Sequence, residues 1–110
     1  MALSNTSLTS SSQAIYTSSG NNAITTIIVC NTSAYNPSSP TANQSLLYMY
    51  AVPNGGSAGT STLIVNGLPI PAGETVSFDQ EKMVLANGDA IYAKTDSASN
   101  LVATVSTLAV

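Results

Sequence analysis

The residues with the clearest capacity for chemistry are five carboxylates, because paired carboxylates can act as acid and base on a glycosidic bond. They are Glu74, Asp79, Glu81, Asp89 and Asp96. The spacing in the sequence brings no two of these carboxylates together, since Glu74 and Asp79 fall on opposite faces of one predicted strand. A glycosidase cleft also uses aromatic platforms, and the chain has no tryptophan. The carboxylates therefore do not indicate a glycosidase.

Nucleophilic catalysis is disfavoured for a different reason. The chain has no histidine, which is the usual general base for a serine or cysteine nucleophile and the commonest zinc ligand. Lysine replaces histidine in Ser-x-x-Lys motifs, but the residue three before Lys82 is Asp79 and the residue three before Lys94 is Ile91. We therefore expect no enzyme, no catalytic residue and no cofactor.

Residues 96–100 are the one candidate metal loop. They carry the oxygen-bearing side chains that calcium prefers, but they lack the further Asp and the bidentate Glu of a tight site. The alternative is a polar hairpin turn in which Asp96 or Asn100 bonds to nearby backbone. We expect the turn, and no metal.

Charge is scarce in this chain and excludes several partners. Charged residues make up 6% of the sequence, against about 25% in an average protein. Two lysines and no arginine are too few to release the counterions of a nucleic acid or to hold an anionic membrane. The surface must consist of Ser, Thr, Asn, Gly and Ala, which suits burial against a partner. We interpret the chain as part of an assembly; the alternative is a neutral, secreted, adhesin-like module.

Length and targeting signals predict one domain made in a cytoplasm. A chain of 110 residues accommodates a single core. Its first residues resemble no secretory signal, and no apolar stretch has the length of a membrane span. Cys30 is the one cysteine and lies in an apolar run, so we expect a small buried side chain and no internal disulfide.

Residues 1–13 are predicted to be an N-terminal arm, followed by a β-sandwich domain at 14–110. The arm is rich in Ser, Thr and Asn, and Leu3 and Leu8 are its apolar anchors. These bury too little area to order the segment alone. It is either a disordered tail or a strap that orders on a neighbouring subunit.

From residue 14 onward the pattern is typical of strands: short β-branched and aromatic runs separated by Gly, Pro and Asn. Strands are predicted at 14–17, 23–31, 45–52, 61–66, 68–70, 74–79, 83–85, 90–95 and 101–108. Asn-Gly pairs at 54–55, 66–67 and 87–88 predict type I′ hairpins and a meander, and residues 71–73 predict a further turn. The predicted fold is an all-β antiparallel sandwich, jelly-roll or immunoglobulin-like, of about 7–9 short strands with the extended arm.

Two of these strands are apolar on both faces. In 24–30, Ile24, Ile28 and Cys30 are expected on one face and Ile27 and Val29 on the other. The strand at 45–52 has the same character. The first is expected to be central or to meet another chain, and an intersubunit contact or a wrapped loop explains the surplus apolar faces.

The long loop at 32–44 is a candidate binding element, because structureless connections of that length often carry function. Tyr35 lies near its tip. The predicted protein contacts are Leu3, Leu8 and Tyr35; the alternatives are a disordered tail for the leucines and a self-packed loop for the tyrosine.

Residues 68–95 resemble the small β-sandwich structural proteins of tailed bacteriophages. Residues 15–31 are similar to the opening strands of that family, and 101–106 fit its final strand. The Leu-x-x-Gly-Asp-x-Ile turn at 85–91 is shared with unrelated jelly rolls, and the loop at 35–43 has no counterpart in the family.

The resemblance implies a virion component without catalytic residues. The first expectation is a capsid cement or decoration protein on the outer surface of the shell. Its partners are the major capsid protein and further copies of itself in a closed oligomer such as a trimer. The alternatives are a small tail, neck or fibre module that contacts the host surface, and a carbohydrate-binding domain outside any virion.

Overall fold

The computed structural model describes residues 2–78, 82–96 and 100–110. These residues form nine β-strands and, within those ranges, no helix, as the punctuation of the sequence predicts. In chain order the strands are β1 (Ala2–Ser7), β2 (Gln13–Thr17), β3 (Asn22–Asn31), β4 (Ser45–Val52), β5 (Leu63–Ile70), β6 (Thr75–Phe78), β7 (Met83–Leu85), β8 (Ala90–Thr95) and β9 (Leu101–Ala109).

The strands form two antiparallel sheets that enclose one core. The first sheet runs in the order β1-β9-β3, and β6 and β7 lie end to end along the other edge of β3. There β6 pairs with residues 27–30 and β7 with residues 22–24. The second sheet runs in the order β2-β8-β4-β5. The predicted all-β antiparallel sandwich is confirmed, and so is the central place of β3.

Turns at the Asn-Gly pairs differ from the predicted type I′ geometry. Type I′ requires positive φ at both central residues, but only the glycines have it, with φ of 83° at Gly55 and 88° at Gly88. The turns 53–56 and 86–89 close with N–H to carbonyl distances of 2.8 and 3.1 Å. Positive φ at the third residue alone is the type II pattern.

The third pair, at 66–67, is not a turn. The two strands predicted on either side of it are one continuous strand, β5, and Gly67 is skipped where Leu68 and Asn66 pair with consecutive residues of β4. A glycine with φ of 71° is the residue that such a bulge needs. A β-carbon on Gly67 would lie 3.5 Å from the ring of Tyr48, which is ordinary van der Waals contact, so the positive φ and not a lack of space is what requires glycine here.

Connections cross between the sheets instead of forming the predicted meander. Only β4 and β5 are both consecutive in the chain and paired in a sheet. The turn at 71–74, with the predicted positive φ at Gly73 (77°), carries the chain from the second sheet to the first. The order of strands is set by long-range pairing, which turn chemistry does not encode.

The segment predicted as an arm belongs largely to the sandwich. β1 pairs with β9 along its whole length, from Ala2 opposite Thr107 to Ser7 opposite Val102. Leu8, which follows, is 1% exposed and packs in the core. Residues 2–8 are extended, but the neighbour that orders them is their own chain. The hydrogen bonds to β9 and the burial of Leu8 supply the stabilisation that the segment does not have by itself.

The core is made of the inward side chains of both sheets. It consists of Leu8, Ile15, Ile24, Ile27, Val29, Leu47, Met49, Ile70, Leu85, Ile91, Ala93, Leu101, Ala103 and Val105. Phe78 and Val76 pack against it while Thr75 and Ser77 face outward, as the alternation predicts.

A bulge in β3 corrects the predicted faces of that strand. Ile24 pairs with Thr107 and Thr26 with Ser106, so Thr25 is an extra residue in β3. The extra residue reverses the alternation, and Ile24 joins Ile27 in the core. Of the three residues predicted to share a face, residues 28 and 30 face outward and Ile24 faces inward.

Asn31 ties the end of β3 to the second sheet. Its side chain is 1% exposed and its Nδ2 donates to the carbonyls of Ile70 and Asn43, both at 2.9 Å. Its Oδ1 accepts from the N–H of Ser33 at 3.0 Å. One amide thus joins β3, β5 and both ends of the long loop.

Leu8→Ala is expected to destabilise the protein by about 2–5 kcal/mol, because it leaves a cavity in the core. Leu3→Ala, at an exposed position of β1, is expected to change stability by less than about 0.5 kcal/mol. Urea unfolding of both variants measures the difference. Equal effects would contradict the assignment of Leu8 to the core.

Asn31→Ala is expected to cost about 2–3 kcal/mol, because the buried carbonyl of Ile70 and the N–H of Ser33 lose this partner and the carbonyl of Asn43 keeps only the bond from Asn100. Ser45→Ala is the matched control, since the Ser45 hydroxyl is also buried but has no hydrogen-bond partner among the described residues. We expect the control to leave the urea midpoint unchanged or to raise it. A loss in the control as large as that of Asn31→Ala would refute the role of the amide.

Candidate protein-contact surface

The three predicted contact residues lie in three different environments. Leu3 is 72% exposed and Tyr35 is 55% exposed, whereas Leu8 is buried and is not a contact residue. Leu3 lies in the same cross-strand row as Thr26 of β3, whereas Tyr35 follows Asn31 at the end of that strand. Thr26 and Asn31 are about 17 Å apart along β3. Leu3 and Tyr35 therefore do not belong to one patch.

Tyr35 lies against the turn that joins β5 to β6. Its Cβ would be 3.5 Å from a β-carbon placed on Gly73. The loop around it folds through successive short turns closed at Ser39, Ala42 and Gln44. The environment of Tyr35 thus combines a packed backbone with an exposed ring.

The outward side of the first sheet is a continuous uncharged surface, which we call the neutral face. Leu101, Ala103 and Val105 point into the core, so the alternate residues of β9 point outward, and the strand register extends this to the neighbouring strands. The neutral face consists of Leu3, Asn5, Ser7, Ala23, Thr26, Ile28, Cys30, Thr75, Ser77, Val84, Val102, Thr104, Ser106 and Leu108. A sheet face that stays in water is ordinarily studded with charges.

One end of the neutral face is apolar. Leu108, Ala23 and Val84 pair across three adjacent strands in a single row, and Leu3 lies diagonally next to Leu108. Val84 is 69% exposed and Leu108 is 43% exposed. Cross-strand neighbours are about 5 Å apart, so these side chains are contiguous. Protein interfaces ordinarily combine a group of apolar side chains of this kind with polar groups around it.

Hydroxyl and amide groups cover the rest of the neutral face. Thr104 donates to Oδ1 of Asn5 at 2.9 Å, and the bulged Thr25 donates to Oγ of Ser106 at 2.9 Å. At the border of the face, Nζ of Lys82 donates to the carbonyl of Thr25 at 3.0 Å. The polar groups are held in place by one another and keep acceptor capacity for a partner.

Sequence reasoning did not single out Val84, Leu108 and Ile28, which are exposed apolar residues of the first sheet. The signal in the sequence is the alternation in 101–108, where small or apolar residues alternate with Val102, Thr104 and Ser106. It shows that one side of the strand lacks charge. It does not show which other strands share that side, because that depends on register.

Asp89 has a structural role that the sequence did not specify. Its Oδ1 accepts from the N–H of Asn54 and its Oδ2 from the N–H of Ala86, both at 2.9 Å. The carboxylate therefore fastens two type II turns to each other. Charge-assisted bonds of this kind hold loops firmly.

The other candidate groups for chemistry do not come together in the described ranges. Glu74 is exposed, and Asp96 accepts from the hydroxyl of Thr95 at 3.3 Å. Asp79 and Glu81 lie outside the described residues, as do positions 97–99 of the candidate calcium loop. Within 2–78, 82–96 and 100–110, no three residues of the His, Cys, Asp and Glu types form a group that could hold a metal. In the same ranges no helix has the length and hydropathy needed to cross a membrane.

Cys30 is half-buried on the neutral face instead of being enclosed in the core. It pairs with Val102 on one side and Thr75 on the other. Cys30 is partly exposed because, beyond the bulge at Thr25, residues 26, 28 and 30 of β3 point to the outward side of the first sheet.

The outward side of the second sheet is chemically different. Tyr50 pairs directly with Tyr92, and Tyr48 pairs with Lys94, whose Nζ lies 5.1 Å from the centre of the Tyr48 ring. Tyr48, Tyr50 and Lys94, with Asn66, line a shallow groove of about 380 Å³. The two faces of the sandwich thus offer one uncharged surface and one with aromatic rings and a cation.

Known proteins supply no function for this chain, which matches no protein-family model, no curated protein and no solved structure. Its function therefore has to be inferred from its own surfaces, of which the neutral face with its apolar end is the most distinctive.

Proposed function

We propose that the chain is a non-enzymatic structural protein of a tailed-phage virion: a cement or decoration protein that binds and stabilises the lattice of the major capsid protein. The neutral face carries this proposal. It exposes Leu3, Val84 and Leu108 among described outward residues of the first sheet that carry no charge. Exposed apolar groups at one end of a neutral surface favour contact with protein.

The charge of the chain supports a place on the outside of the shell. Its net charge is −3 and it has no arginine. Such a chain gains nothing from packaged DNA, whose binding depends on the release of counterions by cationic side chains. The resemblance of residues 68–95 to phage sandwich proteins points the same way.

The size of the neutral face favours repeated weak contacts over one tight contact. Four strand positions by four rows cover roughly 15 Å by 20 Å, which is less than the ~800 Å² per partner of a standard interface. A decoration protein stabilises by mass action, since it binds the assembled lattice and not free subunits. Many copies then add their individually small contributions.

The groove beside Tyr48 and Lys94 favours a second candidate, a tail, neck or fibre module that contacts the host surface. Aromatic rings and amide groups are the means by which proteins hold sugars and other polar ligands. The location of the protein in the particle separates the two functions. Density on the shell supports cement, and density on the tail alone overturns it.

Purified protein is expected to bind expanded capsids that lack it. Val84→Lys is expected to weaken this binding about tenfold or more, because the neutral face would have to bury an unpaired charge. Ile64→Lys is the matched control, since Ile64 is also exposed and apolar but lies on β5 in the second sheet. Co-sedimentation with capsids measures both. No binding by the unaltered protein, or equal loss in both variants, would contradict the proposal.

A further inference from the structure

The sandwich has four open edges, and three of them carry features that hinder pairing with another strand. β5 contains Pro69 and two register shifts against β4. β2 contains an extra residue at Ile15. The third edge is divided between β6, of 4 residues, and β7, of 3 residues. Bulges, prolines and very short strands are the devices by which proteins protect sheet edges.

β1 is the fourth edge and has none of these devices. Its 6 residues pair with β9 in an unbroken register. The sequence Ala-Leu-Ser-Asn-Thr-Ser contains no proline, glycine or charged residue. In the antiparallel ladder the backbone groups of alternate residues point away from β9. Among the described strands, β1 therefore presents the one long regular template for strand addition.

Space for an added strand lies beside β1. A groove of about 360 Å³ separates β1 from β2, the neighbouring edge of the second sheet. The inward residues of β1 that line it, Ala2, Ser4 and Thr6, are small. The hydroxyl of Ser4 donates to the carbonyl of Ile15 at 3.0 Å and holds the two edges in their relative positions. The two edges are thus held rigidly, and Nε2 of Gln13 also donates to the carbonyl of Ser7 at 2.7 Å, which occupies that end of the edge.

We propose that β1 is a strand-addition site whose occupant is the β1 strand of a second copy. The two strands pair antiparallel about a two-fold axis perpendicular to the sheet, and the two first sheets become one continuous sheet. This proposal stands independently of the capsid function, because the dimer forms without any other partner.

A second copy is the occupant that the residues of β1 favour. An uncharged strand meets no like-charge repulsion when it pairs with itself. Paired residues must share a face, so the axis passes through a residue, and the two registers with the longest overlap are centred on Ser4, with Leu3 opposite Asn5, and on Asn5. In both registers small inward side chains meet small inward side chains. The neutral faces of the two copies then lie on the same side, and their combined area is doubled.

The dimer is expected to be weak and concentration-dependent, because one strand pair buries less than the ~1,000 Å² of a stable interface. Sedimentation equilibrium of the full chain, from about 10 μM to about 1 mM, should show the mass rise from one copy to two. A protein that stays monomeric over this whole range overturns the proposal.

Like charges placed on β1 should abolish the dimer. The double variant Leu3→Lys with Asn5→Lys sets two ammonium groups opposite each other in either register, and it should remain monomeric. The double variant Leu3→Glu with Asn5→Glu should do the same. An equimolar mixture of the two should recover the dimer mass, which misfolded variants would not do.

Val84→Lys is the matched control, because Val84 is equally exposed on the same face but lies at the opposite edge of the sheet. It should leave the dimer intact. Dissociation by Val84→Lys together with persistence of the dimer in the β1 double variants would overturn the proposal and place the contact on the neutral face. Capsid binding is measured separately, so failure of the dimer and failure of the proposed function are distinguishable.

Single cysteines on β1 supply a second test. In a Cys30→Ser background, either Ser4→Cys or Asn5→Cys should form an intermolecular disulfide, because residues on the axis bring their Cα atoms to about 4.5–5.5 Å. Val84→Cys should not. Cross-linking of neither β1 variant, or equal cross-linking of Val84→Cys, would refute the two-fold pairing.

Discussion

Strands β3 and β9 pair from Asn22 opposite Ala109 to Asn31 opposite Leu101, and this ladder divides the side chains of the first sheet into two sets. The inward set supplies Ile27, Val29 and Val105 to the core. The outward set forms the centre of the neutral face. A slip of one residue would exchange the two sets, so the same register fixes both the stability of the sandwich and the character of its surface. β1, β6 and β7 all attach to this pair.

Local patterns predicted most of the strands and little of their arrangement. The bounds of β4, β7 and β8 follow from apolar alternation and from the Gly, Pro and Asn residues around them. β1 was not predicted, because its six residues carry one large apolar side chain and form a strand only through the ladder of β9. The three Asn-Gly pairs show the same limit: glycine signals positive φ, but a type II turn and a bulge use it as readily as a hairpin does.

The uncharged surface was predictable in character but not in position. Scarce charge and strands apolar on both faces indicated a protein that meets other proteins, and Leu3 is indeed exposed. Leu8 differs from Leu3 in its place on the ladder: Leu8 lies opposite Leu101, which points into the core, whereas Leu3 pairs with Ser106 on the outward side. Val84 and Leu108, far apart in the chain, become neighbours only through β3. Which residues share this surface can be predicted only when the register of the strands is known.

The place of β9 in the chain affects how the protein is made. β9 separates β1 from β3, so the first sheet lacks its middle while residues 1–100 are being synthesised. β1 is made before β9 and lacks its pairing strand until β9 emerges. During that interval the segment is unpaired and carries no charge. Rapid completion of the chain therefore protects the edge strand from premature association, and a pause in translation before residue 101 would prolong its exposure.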